Sequence, residues 1–494
     1  MLAQAGGELR FCLRAEPKTF NPLLVDDDPS ETVRYLTGGV LLRVNRLTQK
    51  AQPGLATGWK VSEGGKRIRF TLRQGVHFSD GTPFSAADVV YTMQQLMDPE
   101  LHSPTGDAFR SGEGKVVAQA VSPTVVDVTF PAPVANLVNL FDTVAIMSAQ
   151  SPQKEMAVLG PFYVTEHKAG AYILLKRNPN YWRGTQYPYA DEVVFRFIPD
   201  INTRLNAVKS GEVDFAQMTP TQVKDVKDLP NFTLTLVQQN SWQHFDMSIK
   251  TERGAKIFGD KNVRTALFQL IDKKTIVDGV LEGTVQVADT VAPTTSPYYN
   301  PNVKKYTYDQ TAAKKLLDDA GWKVGADGIR EKAGEKLSLT ALLSSADAIG
   351  KLYWQVIQQN MKAAGVDIKI DTKDAAARSQ VWRSGQWEIQ ISRWVLPADP
   401  SVTGLYSCKG SNNMTGFCDA AMDEQMTLSD QELDPAKRKA YLFKAQELLA
   451  ENAFSLPIYY NVNPIVTSKK LGNFKASGTN LGSFWNVFEW YLNK

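Results

Sequence analysis

Histidine is scarce in this chain and absent from its second half. The 494 residues include four histidines, His77, His102, His167 and His244, and none follows position 244. The sequence also contains no H-E-x-x-H, G-x-S-x-G or P-loop pattern, the motifs by which many hydrolases and nucleotide-binding enzymes are recognised. Because Cys/His clusters are missing too, we do not expect the protein to build its own metal site. The sequence therefore predicts neither an enzyme nor a bound cofactor.

Long apolar runs and an excess of one charge are also missing. A membrane-spanning helix needs about 18 consecutive apolar residues. The longest apolar-rich stretch, at residues 134–147, is broken by Asn136, Asn139 and Asp142. The formal net charge is only +3, and the Lys and Arg residues are scattered along the chain. Nucleic-acid-binding proteins usually carry a basic stripe, so this distribution argues against a nucleic-acid partner.

The composition that remains is typical of a large globular protein. Apolar residues make up 43% and charged residues 22% of the chain, which are ordinary values. The chain has 494 residues, whereas an average domain has roughly 150. We therefore expect two or three folding units with a large core.

The first residues carry a possible processing signal. Ala3-Gln4-Ala5 has the A-x-A form that signal peptidase recognises, and a strand-like segment follows at residues 8–14. One interpretation is a secreted protein whose signal peptide has been removed, with Met1 added for expression. The alternative is an ordinary cytosolic start with a chance A-x-A.

Two of the three cysteines favour an oxidising compartment. Cys408 and Cys418 flank a turn-rich segment at residues 409–413. A disulfide between them would close a short loop and would stabilise the fold by about 2–3 kcal/mol. The alternative is two reduced thiols beside a loop. Cys12 lies in an apolar strand and is interpreted as a small buried hydrophobic residue.

Strand and helix signals alternate along the whole chain. Residues 68–72 alternate apolar and polar side chains, as a half-buried strand does. Ser85 and Asp88 have capping-box spacing at the start of a helix. Further helices are predicted after Asp309, over residues 353–364 and from Asp434 through Leu449. This mixture predicts an α/β or α+β protein in at least two lobes.

One stretch is specific enough to suggest a family. The residues LATGWKVSEGG at 55–65 lead into RFTLRQGVHFSDGTPFSAADV at 69–89. This stretch closely resembles the signature of the bacterial extracellular solute-binding proteins of the oligopeptide, dipeptide and nickel class. Its turn at Asp80-Gly81 and its helix start at Asp88 are scaffold features. Matching segments follow in the family's order: GPFY at 160–163, KRNPNYW at 176–182, SGEVD at 210–214, NVRTAL at 262–267 and AKKLLDDAGW at 313–322.

The resemblance implies a specific architecture. It is an α/β, two-lobed periplasmic-binding-protein fold of type II, in its large peptide-binding class, with an inserted domain and a hinge. Lobe I would combine residues 1–39, 159–247 and 467–494, the inserted domain would span 40–158, and lobe II would span 248–466. The hinge would lie near residues 246–249 and 466–469.

The resemblance also implies a function. The chain would be the extracytoplasmic, periplasmic receptor of an ABC importer, capturing a peptide-like solute between two closing lobes. Its partners would be the solute and the permease and ATPase complex in the inner membrane. Family members are usually monomeric, and no cofactor is implied.

The expected anchor for a peptide ammonium group is altered in this sequence. Peptide receptors of the family place an aspartate three residues after a tryptophan in the second lobe. Here Pro397 stands three residues after Trp394, and Asp399 follows two residues later. Asp399 either takes the anchoring role through a one-residue gap or is a turn former or helix cap. Dipeptide receptors also place an arginine where this chain has Lys351 and Leu352; Lys351 is either a carboxylate partner or a solvated surface residue.

The remaining candidate ligand residues are aromatic or amide-bearing. Such side chains suit peptides and sugars alike, and aromatic side chains equally suit a core. An oligosaccharide, an opine or a metal chelate is therefore the alternative ligand class, and a folding-helper or sensory role is a weaker third. The predicted ligand-binding residues are Phe20, Trp242, Gln243, His244, Trp394, Asp399, Tyr406, Ser407, Asn412 and Asn413.

Overall fold

The computed structural model describes residues 6–48, 50–110, 114–150, 157–345, 347–396, 401–478 and 483–493. The chain forms two compact units. Unit 1 comprises Met1–Val237 and Asn463–Lys494, and unit 2 comprises Gln238–Leu396 and Pro400–Val462. Within the described residues the chain therefore passes continuously from one unit to the other at two places, each inside a long strand.

Strands and helices alternate in both units, as the sequence predicts. The strands are β1 Glu8–Leu13, β2 Leu42–Val44, β3 Ala51–Pro53, β4 Ala56–Ser62, β5 Arg67–Leu72, β6 Val117–Ser122, β7 Val125–Thr129, β8 Phe162–Lys168, β9 Tyr172–Arg177, β10 Glu192–Phe197, β11 Phe215–Gln217, β12 Phe232–Met247, β13 Gln286–Val287, β14 Lys323–Val324, β15 Arg330–Lys332, β16 Glu335–Lys336, β17 Ser338–Ser344, β18 Asp367–Lys373, β19 Ile389–Val395, β20 Ser455–Ser468, β21 Leu471–Gly472 and β22 Tyr491–Leu492. The helices are α1 Asp28–Thr37, α2 Ala86–Met97, α3 Pro104–Arg110, α4 Leu137–Leu140, α5 Ile201–Lys209, α6 Val223–Val226, α7 Glu252–Phe258, α8 Lys261–Gln269, α9 Lys273–Thr275, α10 Gln310–Asp319, α11 Ala348–Lys362, α12 Ala375–Ser384, α13 Thr403–Tyr406, α14 Ala420–Gln431 and α15 Pro435–Glu451.

The main sheet of unit 1 has the strand order β20-β11-β1-β10-β9-β8. Its central strand β1 runs parallel to β10 and β11. Phe11 of β1 is fully buried, with the rings of Phe195 and Phe215 at centroid distances of 5.4 and 5.5 Å. Offset and edge-on aromatic pairs of this kind add to the apolar area that they bury, so this cluster anchors the sheet.

A second sheet in unit 1 contains the stretch that resembles the family signature. Strands β4-β5-β7-β6 form it, and β5 alternates buried and solvent-facing side chains as predicted. The predicted capping box is confirmed, since Ser85 accepts from a backbone N–H of the first turn of α2 and the Asp88 carboxylate accepts from the backbone of Ser85. Asp88 also accepts from the backbone of Ala149 at 2.8 Å. The signature residues therefore build scaffold, as the sequence predicts.

Unit 2 is built on the strand order β18-β17-β19-β12-β20. Strand β17 runs parallel to both β18 and β19, with α11 and α12 as the crossover helices. Parallel strands are covered on both faces and are therefore largely apolar. Trp354 on α11 and Phe245 on β12 belong to the large buried core of this unit.

Helix starts in unit 2 follow the predicted caps with one difference. Asp309 and Asp434 accept from first-turn backbone N–H groups of α10 and α15, as predicted. Helix α11, however, begins at Ala348 rather than at residue 353. The side chain of Asp347 accepts from the backbone N–H of Gly350 at 2.7 Å, and this cap adds a turn that apolar periodicity does not reveal.

None of the helices within the described residues has the length and apolar character needed to cross a membrane.

Candidate functional site

The predicted ligand residues concentrate on two paired strands of unit 2, β12 and β19. In this antiparallel pair Trp242 lies opposite Trp394, and His244 lies opposite Ser392. Side chains alternate along a strand, so Trp242 and His244 share one face of β12. Asp246 is the next residue on that face. The pairing therefore brings together three of the predicted residues, Trp242, His244 and Trp394.

His244 is enclosed within this group. Its side chain is 0% exposed, and its ring lies parallel to Trp394 at a centroid distance of 5.9 Å. Its Nδ1 lies 2.8 Å from Oδ2 of Asp246. A histidine held between a stacked indole and a carboxylate has a fixed ring orientation. His244 therefore shapes the site from within the core of unit 2.

Asp246 connects β12 to β20 through a buried polar chain. Its Oδ1 accepts a hydrogen bond of 2.7 Å from Oγ of Ser455. The Tyr406 hydroxyl donates to the same Oγ at 3.4 Å. Burial, followed by the nearby charge of Asp246, raises the pKa of Tyr406, so its hydroxyl stays protonated and serves as a donor. Tyr406, a predicted ligand residue, thus has a structural partner inside unit 2.

The loop after α13 is closed by a disulfide between Cys408 and Cys418, whose Cα atoms are 4.7 Å apart. The backbone N–H of Cys408 also donates to the carboxylate of Asp423 on α14. Cys12 is a buried free thiol. The sequence interpretation of all three cysteines matches these positions.

Asn413 organises the disulfide loop from within. Its Nδ2 donates to the carbonyl oxygens of Ser407 and Phe417 at 2.9 and 2.8 Å. Its Oδ1 accepts from Thr415 Oγ1 and from the backbone N–H of Gly416. Because these bonds engage both ends of the amide, Asn413 holds the loop together. Asn412 lies beside it and is half-buried.

The other predicted residues are more dispersed. Phe20 belongs to unit 1, where its ring packs edge-on against His167 at a centroid distance of 5.2 Å. Gln243 is half-buried on the opposite face of β12 from His244. Lys351 is exposed on α11. Pro397 and Asp399 lie outside the described residues, so the role of Asp399 stays a prediction.

Sequence reasoning missed a second polar group at the same end of the sheet. Nη2 of Arg378, on α12, donates to Oε1 of Gln390 at 2.9 Å and lies 3.5 Å from Oγ of Ser392. The Tyr353 hydroxyl donates to Oδ2 of Asp347 at 3.1 Å. The W-x-H-x-D spacing of β12 was a usable signal for Asp246. Arg378 offers no comparable signal, because its partners are on another element.

Histidine, cysteine and carboxylate side chains do not gather into a metal-binding group of three anywhere in the described part of the chain.

Comparison with known proteins decides the family. Residues 50–416 match the model for bacterial extracellular solute-binding proteins, family 5 (middle region). The chain belongs to this family. The sequence-based assignment is thereby confirmed, together with the mixed α/β fold.

Two curated members of the family illustrate its range. The oligopeptide-binding protein AppA of Bacillus subtilis is 25% identical over 99% of this chain and 92% of its own length. The nickel-binding periplasmic protein of Escherichia coli (strain K12) is 29% identical over 85% of this chain and 83% of its own length.

A solved structure agrees with the fold. The structure of B. subtilis AppA in complex with a nonapeptide has a TM-score of 0.86 with 24% identity, covering 100% of both chains. Family 5 proteins are non-enzymatic solute-binding proteins, they bind peptides or small ligands, and they work outside the cytoplasm with ABC importers.

Proposed function

We propose that this protein is the extracytoplasmic receptor of an ABC importer, which captures a peptide-like solute and delivers it to the membrane permease and its ATPase. The observation that carries the proposal is the family match over residues 50–416, together with the near full-length likeness to an oligopeptide-binding protein. Fold alone would not suffice, because function is determined by the site that a fold carries.

The location outside the cytoplasm has independent support in the disulfide. Disulfides persist in oxidising compartments and are rare in the cytosol. Cys408 and Cys418 form one, within a loop whose backbone is also held by Asn413.

The domain scheme remains part of the proposal. The chain passes from one compact unit to the other between Val237 and Gln238, within β12, and between Val462 and Asn463, within β20. We propose that these two crossing strands carry the hinge, with an inserted domain at residues 40–158, and that the receptor works as a monomer. A receptor of this kind binds more tightly in its closed state because closure adds contacts to the ligand.

A peptide-like ligand is the first candidate and a nickel chelate is the second. The nickel-binding relative, at 29% identity, favours the second. No three-residue metal-binding group occurs among the described residues, so a metal would arrive already chelated. Oligosaccharides and opines complete the range, because Pro397 stands where peptide receptors carry the ammonium-binding aspartate.

A thermal-shift screen tests the proposal. The probes are pools of di- to pentapeptides, cello- and manno-oligosaccharides, opines and nickel–histidine, with calorimetry on each hit. A ligand at 100 times its Kd adds about 2.7 kcal/mol to the free energy of unfolding, which is a clear rise in Tm. Stabilisation by peptides supports the proposal, stabilisation by another pool reassigns the ligand, and no response to any pool contradicts a receptor function.

A further inference from the structure

The parallel strands of unit 2 create a switch point. The chain runs from β17 through α11 to β18 on one side, and from β18 through α12 to β19 on the other side of β17. Connections leaving neighbouring strands in opposite directions open a crevice at the carboxyl ends of those strands, and ligands of open α/β sheets bind there. In this chain that crevice lies between β17 and β19.

Arg378 lies at this crevice without an ion-pair partner. Its guanidinium donates through Nη2 to Gln390 and Ser392. It forms no ion pair with any carboxylate of the described residues. Arg330, a buried arginine of the same unit, by contrast pairs with Asp318 and donates to two backbone carbonyls. Nε and Nη1 of Arg378 are therefore spare donors on a half-buried, permanently charged group.

Gln390 supplies a second, independent observation. Its side chain is 1% exposed, and its Oε1 accepts from Arg378. Its Nε2 is a buried donor with no hydrogen-bond partner. An unsatisfied buried donor costs about 1–3 kcal/mol, and such groups are rare in folded proteins. An acceptor that reaches both Nε2 of Gln390 and the guanidinium of Arg378 would satisfy both groups.

The carboxylate of Asp347 does not fill this role. It accepts from the backbone N–H of Gly350 at 2.7 Å and from the hydroxyl of Tyr353. Burial lowers the pKa of Arg378, and the nearby charge of Asp347 acts in the opposite direction. Asp347 nevertheless forms no ion pair with the guanidinium. Its own donors already hold it at the cap of α11.

We propose that Arg378 and the amide of Gln390 form a subsite for a carboxylate of the transported solute, near the carboxyl end of β17, where Leu342 pairs with Gln390 of β19. This inference rests on the proposed receptor function and narrows its substrate class to solutes that carry a carboxylate. A planar guanidinium matches a carboxylate with two parallel hydrogen bonds. The carboxylate belongs either to the C-terminus of a peptide or to an acidic non-peptide solute such as an opine.

Calorimetry on matched probes tests the subsite. The peptide pools are offered with free C-termini and with C-terminal amides, and the opine octopine is offered beside its methyl ester. We expect the free carboxylates to bind at least 10-fold tighter. Arg378→Gln should weaken them about 10- to 100-fold, the range for losing a charge-assisted hydrogen bond, and should leave the amides and esters unaffected. Which probe pair shows the difference identifies the source of the carboxylate.

Two further variants separate the subsite from general effects. Arg378→Lys keeps the charge without the planar fork and should restore part of the affinity. Lys362→Gln removes an exposed charge from the last turn of α11 and should leave affinity unchanged. Equal binding of free and blocked probes, or equal binding by wild type and Arg378→Gln, overturns the subsite and leaves the receptor function standing. Failure of every probe to bind wild type overturns both.

Discussion

Oγ of Ser455 donates a 2.7 Å hydrogen bond to Oδ1 of Asp246, although the two residues are 209 positions apart in the chain. The bond joins β20 to β12, the two strands that also pass from one unit to the other. Both residues are buried, at 2% and 4% exposure. A buried carboxylate is tolerated where a donor satisfies it, and here Ser455 is that donor.

Replacing Asp246 should destabilise unit 2. In Asp246→Ala the hydroxyl of Ser455 loses its buried acceptor, so we expect a loss of about 1–3 kcal/mol. Asp246→Asn keeps an acceptor and should cost less. Urea denaturation followed by circular dichroism measures both. Glu424→Gln, at an exposed position on α14, is the control. Equal stability of Asp246→Ala and wild type would contradict the structural role assigned to the carboxylate.

The Asp246–Ser455 pair marks the limit of prediction from sequence. The alternation of β5, the capping box at Ser85 and the caps at Asp309 and Asp434 were predictable, because each depends on residues a few positions apart. The hydrogen-bond donor to Asp246, Ser455, lies on a strand 209 residues away. Local patterns carry no information about such a pairing.

The candidate site likewise contains residues that the sequence predicted and residues that it did not. Trp242, His244 and Trp394 were predicted through the family resemblance, and β-pairing does bring them together. Arg378 and Gln390 were missed, because a lone arginine in a helix and a glutamine in a strand are ordinary residues until the crossover topology places them side by side. Asn413 was predicted as a ligand residue, but its contacts show that it holds the disulfide loop.

Removing the disulfide should destabilise the protein without changing its fold. The double variant Cys408→Ser/Cys418→Ser removes a cross-link between residues that are ten positions apart. Closing a loop of this length stabilises the folded state by about 2–3 kcal/mol. We expect a lower Tm for the double variant and the same lowering for wild type with reductant. Cys12→Ser with intact Cys408 and Cys418 should keep its sensitivity to reductant. Identical Tm values with and without reductant in wild type would contradict a stabilising bond.

The stability of unit 1 should fall at acid pH because Asp127 becomes protonated there. Hydrogen bonds from Arg69 and then Arg67 lower the pKa of Asp127 to about 2, although burial opposes this shift. A depressed folded-state pKa stabilises the fold above the unfolded value of about 3.9, and this contribution is lost as the pH falls toward 2.

The variant Asp127→Asn isolates that contribution. It should be less stable than wild type by about 2 kcal/mol at pH 7, and the difference should shrink between about pH 4 and pH 2. Urea titrations at several pH values measure it. Asp228→Asn, at an exposed position, should differ little from wild type throughout. A wild-type advantage that stays constant from neutral to acid pH would contradict the ion-pair origin of the effect.

Substituting the paired tryptophans of β12 and β19 should distinguish a role in core packing from a role in ligand contact. Trp242 is fully buried in the core of unit 2, so Trp242→Ala should cost about 3–5 kcal/mol of stability. Trp394 is half-buried and stacks on His244, so Trp394→Ala should cost less stability but should weaken the binding of the peptide pools that stabilise wild type. Denaturation and calorimetry together give both quantities, with Val324→Ala on the exposed strand β14 as the control. If Trp394→Ala binds those pools as tightly as wild type, the indole belongs to the packing of β19 and the ligand lies elsewhere on the unit.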